Sequence, residues 1–511
     1  MSRFQRIVAM VFVITLIGRA LGFVRNMFVS SAYGTSTEAG AYFTAVAIPM
    51  TLFIVFPTVI NSLFIPTMKG IMASNDEGRG RELYSKMLTL TVIVGGAISL
   101  LGWLGTDAVT SLLVPGWDAE AKGIVSTQLA WMWPSVFFIA LLSLWSTMLN
   151  AHDRFFASTL STVVNSAVTI LGFVVLVPWL GSIGLAISTT IGFILAAATV
   201  LPPLRKLNYS FRWNFHWRGD PALRSMGERL FPIFIAIILG QVTVFFEKII
   251  ASGLGNEKIS ALAYAMTIIQ LPMMVVGAAT VPLFPLLSEH VKRQNLPELK
   301  RILCLGLRYL TVLMVPVTVG LFLVGKPLIE LLYQKNQFGP EDTQLTYWAL
   351  IFYGVGLFAT AARDLFTRTF YALENTKTPV VYAGINVAIY ICLGLLLVPY
   401  LDHGGIALAM SLSAFLNVIL LGLALRRKIG GFVGRELYET AGKTLIGVAV
   451  MAVALSMLEQ AVHFSHAIVS FSFFTAVGAV IYGAVLYLAK EPLLAELLGR
   501  VLARLPKKQR G

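Results

Sequence analysis

Long apolar runs separated by short basic, glycine-rich or proline-containing stretches dominate this chain. A helix needs about 20 apolar residues to cross the roughly 30 Å hydrocarbon core of a bilayer. Fourteen runs meet that length, near 7 to 31, 41 to 68, 84 to 106, 124 to 150, 157 to 178, 183 to 203, 230 to 252, 260 to 288, 303 to 325, 343 to 371, 379 to 400, 406 to 425, 440 to 461 and 467 to 489. The pattern predicts an all-α integral membrane protein of about 14 transmembrane helices. Composition agrees, because 57% hydrophobic and 13% charged residues leave little polar material for a water-facing surface. The first run is too long for the apolar core of a removable signal peptide and has no small-residue cleavage site after it, so it is expected to remain as a helix.

The polar segments between the runs carry an orientation signal, since Lys and Arg collect in short cytoplasmic loops. With the N-terminus inside, alternate loops place 30 of the 39 Lys and Arg on the cytoplasmic side and only Lys122, Lys258, Lys326 and Lys335 outside. Both termini are therefore expected to be cytoplasmic. Basic loops beside a membrane attract anionic lipids, which accounts for the +14 charge without a nucleic-acid partner.

The pattern also repeats. Residues 151 to 165 (AHDRFFASTLSTVVN) align without gaps on 372 to 386 (ALENTKTPVVYAGIN), pairing Asp153 with Glu374 and Asn165 with Asn386. In the same register, 221 residues apart, Pro178, Trp179 and Leu180 fall on Pro399, Tyr400 and Leu401, and GLAIS (184 to 188) falls on GIALA (405 to 409). A weaker match, one residue out of register, sets LFIPTM (63 to 68) beside LFPLLS (283 to 288). An offset of six helices keeps the polarity of entry, so the expectation is two parallel-repeat six-helix lobes plus two C-terminal helices. The divisions expected are 1 to 203 and 230 to 426 for the lobes, 204 to 229 for an interfacial linker, 427 to 489 for the extra helices and 490 to 511 for a basic cytoplasmic tail. Within the linker, aromatic and polar residues alternate from Tyr209 to Arg218. This reads as an extended tether with its rings at the membrane interface and Arg212 and Arg218 on lipid phosphates.

The five basic residues left out of that loop count, Arg19, Arg25, Lys248, Arg363 and Arg368, lie within or at the ends of the spans. A guanidinium at mid-bilayer costs roughly 2.5 to 3.5 kcal/mol and usually faces a bundle interior or a watery cavity. Arg19 and Arg25, in GRALGFVRN (18 to 26), are thus candidate binding residues. Arg363 lies roughly 13 Å, at 1.5 Å per residue, from the helix end near Ala372 and is a candidate cavity cation for the second lobe. Asp364 and Arg368 stand at i,i+4 and are expected to pair. Glu247 and Lys248 are neighbours that should not face one another; an interfacial, snorkelling role is expected for them, with cation coupling at Glu247 as the alternative.

Catalytic and metal chemistry find no support in the pattern. GLFLVGKP (320 to 327) nearly spells a phosphate-binding loop, but Pro327 stands where a Ser or Thr is required, and the stretch lies in a span rather than between a strand and a helix. The six His show no i,i+4 pair flanking a carboxylate, Cys304 and Cys392 lie in apolar runs, and no nucleophile or paired-carboxylate pattern occurs in the spans. No enzyme activity, cofactor or metal is expected.

GRALGFVRN with AYG (32 to 34), INSLFIP (60 to 66), QFGPEDT (337 to 343) and FYALENTKTP (370 to 379) together resemble the MurJ (MviN) family, over nearly the whole chain. That resemblance implies a fourteen-helix flippase of the multidrug, oligosaccharidyl-lipid and polysaccharide exporter superfamily. Its implied substrate is lipid II, the undecaprenyl-diphosphate-linked peptidoglycan precursor, moved from the inner to the outer leaflet of the bacterial cytoplasmic membrane. It further implies a monomer acting beside cell-wall synthesis proteins. Arg19 and Arg25 match the family's two first-helix cavity arginines, and Asn26 stands where an acidic residue usually follows. Phe53 and Ile54 occupy the region of a second-helix arginine, and Thr267 and Gln270 stand where the family shows an arginine and a glutamate. Export of another lipid-linked oligosaccharide or amphiphile, and a non-transporting membrane scaffold for envelope assembly, remain as alternatives.

Overall fold

A computed structural model describes residues 3–494 apart from 75, 210, 211, 218, 281, 282, 463 and 465. The expected lipid contact of Arg218 and most of the basic tail lie outside the described residues. The described chain is helical and packs as two compact units that part between Ser260 and Ala261. The first holds α1 (Arg3–Tyr33), α2 (Thr37–Ala45), α3 (Ala47–Ala73), α4 (Glu77–Leu104), α5 (Thr106–Leu113), α6 (Ala119–Ala151), α7 (Phe155–Leu180), α8 (Ile183–Arg205) and α9 (Pro221–Ser252). Then follow α10 (Lys258–Thr280), α11 (Leu283–Lys292), α12 (Leu296–Tyr333), α13 (Pro340–Val355), α14 (Leu357–Ala372), α15 (Lys377–Leu401), α16 (His403–Ile429), α17 (Arg435–Ala461) and α18 (Ala467–Leu488).

Among the described residues 12 helical stretches are long and apolar enough to cross a membrane, α2 and α3 counting as one, and the pair α13 and α14, bent by 43°, makes a thirteenth. The remaining predicted run, 230 to 252, falls in the 32-residue α9. The protein is thus a multi-pass membrane protein. Helix starts are capped as their sequences require: the Asp76 carboxylate accepts the Arg79 N–H, Asp118 that of Ala121, and Asn295 that of Glu298.

The repeat survives in backbone detail. Asp153 after α6 and Glu374 after α14 both turn the chain at φ 57°. Gly181 ends α7 at φ 58°, ψ −141°, and Asp402 ends α15 at φ 55°, ψ −142°. Glycine meets that left-handed φ without strain; aspartate tolerates it with its carboxylate on the His403 N–H, 2.8 Å away. Gly184 and Gly405 approach the preceding helix so closely that a Cβ would lie 2.8 Å from Leu176 and 2.7 Å from Leu397. Thr190 Oγ1 donates to the Trp131 carbonyl at 2.8 Å, and Ser411 Oγ to the Phe352 carbonyl at 2.6 Å. Each of these pairs is 221 residues apart. Specific turns and interhelical bonds, not shared composition, therefore carry the register. Trp179 and Tyr400, 85% and 81% exposed, project from the matching ends of α7 and α15 as aromatic residues do at a membrane interface.

The core of the first unit gathers around Phe64, Met68, Leu144 and Met148 on α3 and α6, and that of the second around Leu303, Ala361, Leu365 and Leu425 on α12, α14 and α16. Although α9 follows the linker, it packs on α3 and α5 inside the first unit. Thr51 Oγ1 donates to Gln241 Oε1, and Ser252 Oγ accepts the Gly116 N–H. The P-loop-like stretch lies in the uninterrupted α12, which excludes the strand-to-helix turn that phosphate binding requires.

Candidate functional site

The first candidate site is built on α1, which packs along α7. Gly18 permits that contact: a Cβ there would meet Thr162 Oγ1 at 3.0 Å, and Ser166 Oγ donates to the Gly18 carbonyl at 3.5 Å. Arg19, one position round the helix, is exposed; Arg25 is half-buried and Asn26 is buried. Six residues of α-helix separate the two arginines by about 9 Å along the axis and roughly 120° around it. The guanidinium Nε of Arg25 is enclosed without a hydrogen-bond partner. No carboxylate partner is available within the helix, because α1 contains no acidic residue.

In the second unit, Arg363 is half-buried on α14. Its neighbour Asp364 is taken by Arg368 Nε at 2.9 Å, the i,i+4 pair expected from the sequence. Among the described residues Arg363 forms no ion pair, although it feels the charge of Asp364, and Arg19 and Arg25 form none.

Among the described residues the buried cations are all matched. Lys86 Nζ lies 2.6 Å from both Glu82 and Asp220, Lys258 Nζ lies 3.3 Å from Glu257, and Lys248 Nζ lies 3.1 Å from Glu247. Arg308 sits in a clasp of its own, with Nη1 2.6 Å from Glu436, Nη2 3.1 Å from Glu491 and Nε 2.9 Å from Thr440 Oγ1. Lys443 Nζ completes the clasp 3.4 Å from Glu491, which is 2% exposed. Around Asp220, which caps α9, burial pushes the carboxyl up. The Lys86 hydrogen bond and the Ala222 and Leu223 N–H groups outweigh it and hold the group below its usual range.

Glu247 and Lys248 correct one expectation. Their backbone positions point about 100° apart, but the long lysyl chain curls back to its neighbour's carboxylate, 3.1 Å away, and its side chain is 6% exposed. The Glu247 carboxylate thus carries a positive counter-ion already. Among the described residues no group of three or more His, Cys, Asp or Glu is placed to hold a metal. At the positions that depart from the resembled pattern, Phe53 packs on Phe193 at 5.4 Å and Thr267 Oγ1 donates to the Ala263 carbonyl at 2.8 Å, while Gln270 is exposed.

Two features escaped sequence reasoning. One is the Arg308 clasp, whose only local signal was an arginine near the start of an apolar run. The other is an apolar groove of about 400 Å³ in the second unit, between α10, α12, α17 and α18. Leu271, Pro316 and Phe474 wall it, and Gly320 and Gly478 leave the room.

The family described as "Lipid II flippase MurJ" matches residues 29–477. The "Probable lipid II flippase MurJ" of Vibrio cholerae is 28% identical over 461 residues, covering 88% of this chain and 86% of the relative. That of Rhizobium meliloti is 30% identical over 457 residues, covering 86% and 84%. Among solved structures, "Lipid II flippase MurJ, inward closed conformation" superposes with a TM-score of 0.80 at 22% identity, over 96% of this chain and 99% of that one. An inward-facing multidrug resistance transporter of the MATE family and MOP superfamily does so at 0.70 and 14% identity, over 82% and 98%.

Proposed function

Because the chain belongs to the MurJ family of lipid II flippases, we propose that it carries lipid II, a polyprenyl-diphosphate-linked cell-wall precursor, from the inner to the outer leaflet. One observation carries the site assignment: among the described residues the buried lysines and Arg308 have carboxylates within 4 Å, whereas the half-buried Arg25 and Arg363 and the exposed Arg19, all within apolar helices, form no ion pair. An unmatched guanidinium in a membrane domain is costly, and a diphosphate is a fitting counter-ion because it accepts the bidentate hydrogen bonds that arginine offers. Asn26, an amide beside Arg25, adds hydrogen-bonding capacity without the repulsion an acid would bring to an anionic head. Arg363 would serve as the second lobe's cation, and the apolar groove of the second unit suits a polyprenyl chain.

Movement would follow from the repeat by alternating access. A coupling cation at Glu247 would have to displace the Lys248 ammonium. In this reading the protein is a monomer of the bacterial cytoplasmic membrane working beside cell-wall synthesis proteins, and the loop-charge count supports cytoplasmic termini and contact with anionic lipid. The direct test depletes the protein from cells lacking other flippases and measures the leaflet distribution of lipid-linked precursors. Accumulation of lipid II on the inner leaflet is expected. Accumulation of a different lipid-linked unit would reassign the substrate, and an unchanged distribution would point to a scaffold.

A further inference from the structure

The first unit contains a cavity that neither α1 arginine lines. It measures about 660 Å³ and lies between α4, α6 and α8. α6 packs against both other helices and forms its floor. Its polarity is graded along the helices. Leu88 and Val92 on α4, Leu141 on α6 and Leu201 on α8 line the part toward the middle of the spans. Trp145, Arg205, Asn208 and Tyr209 line the part toward the helix ends, which the loop-charge count assigns to the cytoplasmic side.

The polar end is built rather than incidental. Tyr209, just past α8, packs edge-on against Tyr84 with ring centroids 5.2 Å apart, and its hydroxyl lies 3.4 Å from His152 Nε2. Farther along the linker, the Asn214 N–H donates to the buried Thr89 Oγ1 at 3.0 Å, which straps the segment onto α4. Beside this fixed ring, Arg205 is exposed and has no carboxylate partner among the described residues, and Lys206 follows it.

We propose that this cavity is a site for one anionic glycerophospholipid of the cytoplasmic leaflet, with an acyl chain between α4 and α8 and its phosphate on Arg205. The apolar depth selects a lipid over a free phosphate. The unmatched cation selects an anionic head over one whose phosphate is offset by an ammonium. The aromatic ring at the rim occupies the headgroup level, where tyrosine and tryptophan are favoured. The site is independent of the substrate reading, since its residues lie on different helices from Arg19, Arg25 and Arg363.

The test uses the purified full chain in detergent, titrated with phosphatidylglycerol carrying a brominated acyl chain. Quenching at Trp145 is isolated as the difference between the wild type and Trp145→Phe. Saturable quenching is expected, weakened about tenfold by Arg205→Gln, the scale of losing one charge-assisted hydrogen bond. Leu201→Phe, which fills the apolar depth, should abolish it. Brominated phosphatidylcholine should bind about tenfold more weakly than phosphatidylglycerol, and excess inorganic phosphate should not displace the lipid. Equal thermal midpoints without lipid establish that both variants are folded. The proposal is overturned if folded Arg205→Gln titrates like the wild type, if Leu201→Phe quenches normally, if the two lipids bind equally, or if inorganic phosphate competes.

Discussion

Arg308 and Arg25 are the same side chain set in long apolar helices, and their surroundings are opposite. Arg308 touches two carboxylates and a threonine hydroxyl, supplied by residues as far as 183 positions along the chain. Arg25 has no acid in its own helix, and its enclosed Nε has no partner from the rest of the fold. A matched buried cation fixes structure, because removing it strands its acids. An unmatched one fixes little and remains available to a ligand. The contrast separates the charges that hold this protein together from those proposed to act on a substrate.

The largest effect that would break the contrast is on stability. Arg308→Ala leaves Glu491 enclosed and short of a counter-charge, and loss of one partner of a buried pair costs about 3–5 kcal/mol. A large fall in the thermal midpoint is expected, partly restored when Glu491→Gln is added. A midpoint unchanged by Arg308→Ala would show that the clasp does not hold α12 to α17.

Arg25→Ala should do the reverse. Stability is expected to stay within about 1 kcal/mol of wild type, as for residues without partners, while lipid II flipping in proteoliposomes falls about tenfold or more, the scale of a hydrogen bond to a charged group. Lys at the same position should retain more activity than Ala, since charge persists although the bidentate fork is lost. Normal flipping by the well-folded Arg19→Ala, Arg25→Ala double variant would remove both arginines from the site.

A smaller effect sharpens the comparison at α9. Glu247→Gln leaves Lys248 enclosed beside a neutral amide and is expected to lower stability by about 1–3 kcal/mol with flipping retained in the surviving folded protein. Abolished flipping at unchanged stability would move Glu247 from the matched to the working group and support a coupling role.

The smallest effect concerns pH. Asp220 has a carboxyl held below its usual range, so its contribution is present at neutral pH and is lost as pH falls through that lowered value. Asp220→Asn leaves Lys86 paired with Glu82 at 2.6 Å and should lower stability at pH 7 by about 1 kcal/mol, the net worth of one hydrogen bond, and the difference between variant and wild type should shrink below about pH 4. A constant difference across that range would show that the linkage between α4 and α9 is not electrostatic.

The apolar runs were sufficient to determine the helices, because a bilayer leaves a spanning chain no other way to satisfy its backbone, and a run of about 20 residues has no other use. The repeat was equally legible: its turns need left-handed or closely packed residues, as Asp153, Glu374, Gly181 and Gly405 show, and those needs recur 221 positions later as letters. Arg19 and Arg25 stood out for the same local reason, as charges where apolar residues belong. Which charges are matched could not be read along the chain. Lys86 meets Asp220 134 residues away, Arg308 meets Glu491 after α18, and Lys248 reaches its own neighbour by bending a flexible side chain. The two cavities are likewise spaces between helices far apart in sequence. Periodicity is a property of one helix and is written in that helix's residues; charge pairing and empty volume belong to the packing of several helices, so only the tertiary structure decided them.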